Sequence, residues 1–393
     1  MSNFLTGLSR NVIVLGFVSL LQDLSSEMLY PVVPMFLATV LGAPITVIGL
    51  IEGFAEFTAA ILKAVFGRWS DRFQKCRVFI SLGYGLSALS RPLLVLANSW
   101  GFVLASRWLD RLGKGVRTSP RDALLAASAP MAHRGKVFGV HRAMDTLGAV
   151  LGPLLAIWLL TITDNDYRFV FLAAIIPTAL AFFLTFAVKE AQSRTHRQIT
   201  KNKKTDNWSL ITDHLPPAYW KFLVINQIFF LGNSSDVFLI LRARDLGLSS
   251  TAAILAYVIY NLAYALLATP AGILSDKLGR RRVLQTGFFI FAVVYAGFAF
   301  IASPLFIWPL FTLYGFYAAM TEGVSKAAIV DLVAPEHRGS AIGLFYMTTG
   351  VAALIASTLA GWLWKEFGAA TALGFSTAMA LLASILLRRG KSF

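Results

Sequence analysis

Six ionisable residues recur at steps of three and four: Arg107, Asp110, Arg111, Lys114, Arg117 and Arg121. On a helix of 3.6 residues per turn this spacing draws a single stripe. The stretch around them, 101–125, is otherwise mostly apolar, Asp122 being its only further charge, and an Arg or Lys left against lipid at a helix centre costs about 2.5–3.5 kcal/mol. The stripe must therefore face water, protein carboxylates or a ligand. Arg117 and Arg121, near the end of the stretch, are expected in ion pairs or reaching to the aqueous surface. Arg107, Arg111 and Lys114 lie deeper and are read as a substrate-binding wall, which selects an anionic or zwitterionic solute. Balancing carboxylates are present in the same half of the chain. Asp23 and Glu27 stand at i, i+4 in 11–40, and Asp145 lies beside His141 and Arg142 in 136–162. A carboxylate in low dielectric keeps its charge only beside a cation, so Asp23, Glu27 and Asp145 are candidate proton-coupling groups, with Arg142 a further substrate-facing cation. His141-x-x-x-Asp145 is read as a buried ion pair, since acyl transfer would also need a nucleophile that nothing here identifies.

The second half is poorer in such charge and richer in neutral polar and aromatic groups. Asn233 and Asp236 in 219–241, with Tyr257, Tyr260 and Asn261 in 251–274, are candidate substrate-binding residues. Tyr257, Tyr260 and Tyr264 share a helix face. Glu322 and Lys326, i, i+4, are expected to pair locally. The expected site is thus a charged wall facing a polar and aromatic one. Neither a metal nor a cofactor is expected: Cys76 is the single cysteine, which excludes thiolate clusters, and no phosphate-binding loop is present.

Such residues need a framework that holds charge inside an apolar medium. The chain has 393 residues, 57% hydrophobic and 14% charged, far from the roughly 25% charged average of soluble proteins. At about twenty apolar residues per crossing, twelve spans fit: 11–40, 45–66, 77–97, 101–125, 136–162, 167–188, 219–241, 251–274, 282–302, 304–331, 339–363 and 367–387. The first is read as a retained helix, because no small-residue cleavage site follows it. One long polar segment, 189–218, divides the chain into an N-terminal bundle, 1–188, and a C-terminal bundle, 219–393. The net charge of +15 does not point to nucleic acid, since the basic runs punctuate apolar spans instead of forming one water-exposed face. Lys and Arg concentrate in alternate loops and in the linker, which places both termini in the cytoplasm and the chain in a cytoplasmic (inner) membrane, as a monomer whose partners are the bilayer, a small-molecule substrate and a proton.

The halves repeat. "GRWSDRFQKCRV" at 67–78 parallels "GILSDKLGRRRV" at 272–283, and "APMAHRGKVFG" at 129–139 parallels "APEHRGSAIG" at 334–343. Gly67-x-x-x-Asp71-Arg72-x-x-Lys75 and Gly272-x-x-x-Asp276-Lys277-x-Gly279-Arg280 resemble the loop signature of the major facilitator superfamily, with Gln74 replacing the second glycine of the first copy. Leu24-Ser25 followed by Pro31-Val32-x-Pro34, and Gly148-x-x-x-Gly152-Pro153, are similar to motifs of its twelve-helix drug/proton antiporter branch. Arg107-x-x-Asp110-Arg111-x-Gly113-x-Gly115 is similar to a third family motif. The resemblance implies an all-α membrane protein of twelve transmembrane helices in two pseudo-symmetric six-helix bundles. It also implies alternating access, and a gating role for Gly67, Asp71, Arg72, Asp122, Gly272, Asp276, Arg280 and Asp331. By repeat symmetry Asp71 is expected at the helix start near Arg338, and Asp276 at that near Arg134. The function expected is proton-coupled efflux, not enzymatic, with proton symport of an organic anion or metal chelate as the first alternative. A lipid-headgroup enzyme and a binding-only receptor on the same fold are the others.

Overall fold

In the computed structural model, residues 9–73, 75–128, 134–190, 215–334 and 337–389 are described, with backbone alone at 64, 67, 68, 70–73, 126, 134–136, 138, 139, 338–340 and 389. Most of the linker therefore lies outside the described residues. The described residues form fifteen α-helices: α1 (Arg10–Leu29), α2 (Val32–Thr39), α3 (Ile45–Phe73), α4 (Cys76–Val95), α5 (Trp100–Ala127), α6 (Arg134–Ile162), α7 (Tyr167–Ala173), α8 (Ile175–Thr185), α9 (Pro217–Gly232), α10 (Val237–Asp245), α11 (Ser250–Leu278), α12 (Arg280–Phe300), α13 (Ile307–Leu332), α14 (Arg338–Phe367) and α15 (Ala369–Arg389).

Three of the twelve spans are broken into two helices, each for a local reason. Pro31 has no amide hydrogen and disfavours a helical residue before it, so α1 stops at Leu29 and α2 starts after the proline. Pro177 withdraws the amide that would bond the carbonyl one turn back, and the helix divides at Ala174 into α7 and α8. Between α9 and α10 the run Asn233-Ser234-Ser235 leaves helical geometry, as short polar side chains that compete for backbone groups allow. Ten of the twelve spans are long and apolar enough to cross a membrane on those criteria alone. The charge-rich α5 is one that is not, so it depends on its neighbours for burial.

By contact the chain separates into two compact units, Met1–Tyr30 with Thr58–Leu210, and Pro31–Phe57 with Ile211–Phe393. In the first, α4 packs on α5, α1 on α6 and α8, and α4 on α8. In the second, α12 packs on α13 and α15, and α9 on α14 and α15. Numbered as spans, these are the same pairs in both units, the structural form of the sequence repeat. The second unit also includes α2 and the beginning of α3: a Cβ on Gly49 would lie 2.3 Å from the Ser357 carbonyl oxygen, and one on Gly53 3.0 Å from Leu354 Cα.

The ends carry their own fastenings. Gly279, at φ +90°, joins α11 to α12, a conformation that glycine adopts without cost. In the first unit Glu190 Oε1 and Oε2 accept from the Cys76 and Arg77 amides at 2.9 and 3.1 Å, placing a carboxylate on the positive end of α4. Asn11 exchanges hydrogen bonds with the Lys189 amide and carbonyl at 3.0 and 2.8 Å. The start of the linker is thereby tied to the first helix.

Candidate functional site

Close approach of helices builds the site. A Cβ on Gly113 of α5 would meet the Gly83 carbonyl oxygen of α4 at 2.4 Å, and one on Gly115 would meet Leu62 Cβ of α3 at 2.5 Å. On the other side, Cβ atoms on Gly148 and Gly152 of α6 would lie 2.6 Å from the Leu20 and Leu24 carbonyl oxygens of α1, and 3.1 and 3.0 Å from Asp23 Cβ and Glu27 Cβ. Glycine alone lets the backbones lie so near. The two carboxylates of α1 are thus held from behind at their own Cα positions.

Between α1 and α5, inside the first unit, a narrow, partly open cavity is lined by Asp23, Ser26, Glu27, Tyr30, Arg107, Asp110, Arg111, Lys114 and Arg117. Five residues of the α5 stripe therefore share one chamber with both carboxylates of α1. Arg107, Arg111 and Arg117 are buried at 5–8% exposure, as the cost of charge against lipid demands. The Arg107 guanidinium lies 5.6 Å from the Tyr30 ring centroid, within cation–π range. The charges of Asp145, Lys114, Glu27 and Arg121 all reach Asp23.

One charge in the chamber is fixed by a residue that sequence reasoning passed over. Arg91 Nη2 of α4 lies 3.3 Å from Asp110 Oδ1, with both side chains buried. The same Nη2 donates to Ser26 Oγ at 3.0 Å, while Nε and Nη1 donate to Ser25 and Ser90 at 3.1 and 3.3 Å. Asp110 is thereby committed to α4. The sequence signal for Arg91 was its position inside the apolar run 77–97. Arg117 donates to Ser87 Oγ at 2.6 Å and stacks 4.5 Å from the Tyr84 centroid, so the expected ion-pair or surface role is replaced by a polar and aromatic socket on α4.

Below the cavity, α6 adds a second cluster. His141 Nδ1 lies 3.7 Å from Asp145 Oδ2, and Arg142 Nη1 4.0 Å from the same oxygen. Asp145 Oδ1 accepts from Ser19 of α1. Arg121 donates to Ser19 Oγ at 3.2 Å and pairs with Asp122 at 3.0 Å. The Arg142 side chain is 63% exposed. Arg142 and Asp145 are therefore not brought into the cavity with Arg107, Arg111 and Lys114; their positions on α6 put them one to two turns away, on the Ser19 side.

In the second unit Asp236 Oδ1 accepts from Tyr314 at 2.6 Å and Asn233 donates to the Tyr317 hydroxyl at 3.0 Å. Tyr257 and Tyr260 have centroids 5.5 Å apart, and Tyr260 lies 4.8 Å from Tyr314. Asn261 is turned to its own helix, donating to the Tyr257 carbonyl at 3.1 Å. Tyr314 and Tyr317, one turn apart on α13, were missed, though their i, i+3 spacing marks one face. Glu322 and Lys326 do not pair as expected: Tyr264 donates to Glu322 Oε2 at 2.7 Å, and Lys326 lies 5.6 Å from the Tyr346 centroid. Neighbouring helices reach these groups more favourably than they reach each other.

Of the gating candidates, Arg280 bridges Asp276 at 2.6 Å and Asp331 at 3.2 Å, joining α11, α12 and α13. Gly272 has open space where a Cβ would lie. The side chains of Gly67, Asp71 and Arg72, and the partners expected at Arg134 and Arg338, lie outside the described side chains. Among the described residues no group of three His, Cys, Asp or Glu has the arrangement of a metal site.

Twelve spans, the all-helical build and a charged chamber among apolar helices define a multi-pass membrane protein of the transporter class. The chain belongs to the Major Facilitator Superfamily, whose model matches residues 15–242 and 223–392. It is 38% identical over 97% of its length, and 94% of the relative's, to the MFS-type transporter MJ1317 of Methanocaldococcus jannaschii. It is 26% identical to the cis,cis-muconate transport protein of Acinetobacter baylyi, over 83% of this chain and 80% of that one. The structure of a variant of the nucleoside transporter NupG superposes with a TM-score of 0.79 at 13% identity, covering 96% and 99% of the two chains, a likeness of fold.

Proposed function

We propose that this transporter carries a small organic anion together with a proton by alternating access. The observation that supports this most directly is that Asp23 and Glu27 share one cavity with Arg107, Arg111 and Lys114. An incoming anion competes with the two carboxylates for the same cations. A carboxylate that loses its cation in a low-dielectric chamber is more stable protonated. Anion and proton therefore each favour the other's binding, and this reciprocity is thermodynamically required. Two ligands that favour each other are carried in the same direction. Strict exchange would require the opposite sign, with substrate expelling the proton, which suits a cation. The muconate carrier among the relatives supports an anionic substrate. The motifs of the first and fifth spans that resemble drug/proton antiporters favour proton-coupled efflux, the competing reading.

The same proposal places the chain in the cytoplasmic membrane as a monomer, with both termini inside, moving its substrate chemically unchanged. Arg107, Arg111 and Lys114 bind the anion, and Asp23 and Glu27 carry the proton. Asn233, Asp236, Tyr257 and Tyr260 contribute through the second unit, and the Asp276–Arg280–Asp331 bridge acts in gating. The test is to add cis,cis-muconate to purified protein in weakly buffered detergent and follow pH with a dye. Proton uptake, abolished in Arg111→Ala, is expected; proton release on binding would overturn cotransport in favour of exchange.

A further inference from the structure

We propose that His141 and Asp145, linked through Ser19, form the path by which Asp23 exchanges its proton with the aqueous side that bears the basic loops. The inference rests on the proton-linked reading of the cavity and extends it to residues that do not line it. Ser19 and Asp23 stand one turn apart on α1, on one face. Gly148 presses α6 against α1 at Asp23, which brings Asp145 to Ser19 and His141 one turn nearer the start of α6. His141 lies about seven residues, or roughly 10 Å, from that start at 1.5 Å per residue.

The orientation of each group suits transfer. Arg121 donates to Ser19 Oγ at 3.2 Å, which occupies a lone pair and leaves the hydroxyl hydrogen for Asp145. Arg121 itself is paired with Asp122, and its charge also reaches Asp145 and Asp23. The imidazole turns Nδ1 to Asp145 Oδ2 at 3.7 Å, a gap that a small ring rotation closes. Its Nε2 is buried without a protein hydrogen-bond partner among the described residues, so the acceptor the transfer requires there is a water entering from the start of α6. The charged groups that reach His141 are Arg121 and Asp122 of α5 and Asp145 and Arg142 of its own helix; Ser19 and Asp23 are the polar groups presented by α1.

The transfer balances as follows. Protonated Asp23 gives its proton to the Ser19 oxygen as Ser19 gives its own to Asp145, leaving Ser19 unchanged. Asp145 passes that proton to Nδ1 of a neutral imidazole, and Nε2 releases its proton to water. The first tautomer returns when a ring rotation turns Nδ1 toward the water, where it gives up its proton as Nε2 takes one, so that one proton in all has passed from Asp145 to water. The reverse sequence loads Asp23.

The test compares His141→Gln with wild type in proteoliposomes, using cis,cis-muconate as probe and a dye in the lumen. Net muconate-driven proton movement should fall at least tenfold in the variant, while muconate–muconate exchange at equal pH, which needs no proton release, stays within about twofold. Equal net rates would overturn the relay, and so would parallel loss of exchange and net flux, the signature of a merely structural histidine. Wild type that moves muconate without protons would overturn the proton-linked reading and the relay together. A measurement independent of substrate uses 15N-histidine protein in lipid nanodiscs, with His141 among the five histidines assigned by the Gln variant. Its ring should populate both neutral tautomers in exchange, in a ratio altered by Asp145→Asn. One tautomer throughout would overturn the relay whatever the substrate.

Discussion

Arg91 and Asp110 form the ion pair on which the cavity wall depends, and burial makes it asymmetric. Keeping both partners costs little, whereas removing one strands a charge, a loss of about 3–5 kcal/mol in buried pairs. Asp110→Leu should therefore lower the thermal unfolding midpoint in detergent sharply, as should Arg91→Met. The double variant should lose less than the sum, with a coupling of about 0.5–3 kcal/mol; additive losses would show that the pair does not act as a unit. A different outcome is expected at Arg111, which lines the cavity: on the anion-binding proposal, Arg111→Ala should reduce binding of a small dicarboxylate probe at least tenfold, with Arg111→Lys keeping charge but losing the planar fork, read by tryptophan fluorescence. The stripe itself was legible in sequence, because helical period and the cost of charge in lipid together decide where it can point. Its partner was not, because the meeting of Arg91 with Asp110 depends on α4 and α5 crossing at Gly83 and Gly113, a contact no local pattern encodes. The same blindness explains why Arg142, similar in type to Arg111, shows no sign in the sequence that its side chain is exposed and lies outside the cavity lining.

At the scale of elements, glycine decides how near the carboxylates of α1 lie to α6. An added methyl group at Gly148 or Gly152 would sit 2.6 Å from a carbonyl oxygen of α1, and backbone cannot yield as a flexible side chain does. Gly148→Ala and Gly152→Ala should each destabilise by about 1–3 kcal/mol, the usual range for overpacking, and lower the amplitude of anion-linked proton uptake, since Asp23 and Glu27 move with α1. Gly374→Ala on α15 is the control: nothing lies within 4 Å of the added atom, so the variant should gain about 0.5–1 kcal/mol from helix propensity. Comparison of the three thermal midpoints checks both signs. Spans were largely readable from apolar run length, which is why the expected limits fall within a few residues of α4, α5 and α12. The breaks were less so. Pro31 marks one by its chemistry, but the interruption at Asn233–Asp236 rests on short polar residues that are compatible with helix elsewhere in this chain, as Ser87 and Ser90 of α4 are.

On the scale of the whole molecule, the repeat carries the topology. Recurrence of one set of packed pairs in both units matches the duplicated segments at 67–78 and 272–283, and duplication in one orientation requires an even number of spans in each half. Charge supplies the direction: Arg and Lys crowd the loops after the second and eighth spans, and such loops stay on the cytoplasmic side. On the orientation proposed above, Cys76, the single cysteine, half-buried at the start of α4, lies on that side. Lys365, 58% exposed near the end of α14, lies nine spans further along, from α4 to α14 with the two divided spans each counted once. An odd number of crossings puts the two positions on opposite faces. A membrane-impermeant maleimide should therefore label Cys76 only in inside-out vesicles, and should label Lys365→Cys in a Cys76→Ser background only from outside intact cells. Labelling of both from one face would mean that a span has been miscounted, and charge-poor α13 or charge-rich α5, whose crossing depends on neighbours more than on its own apolarity, would be where to look.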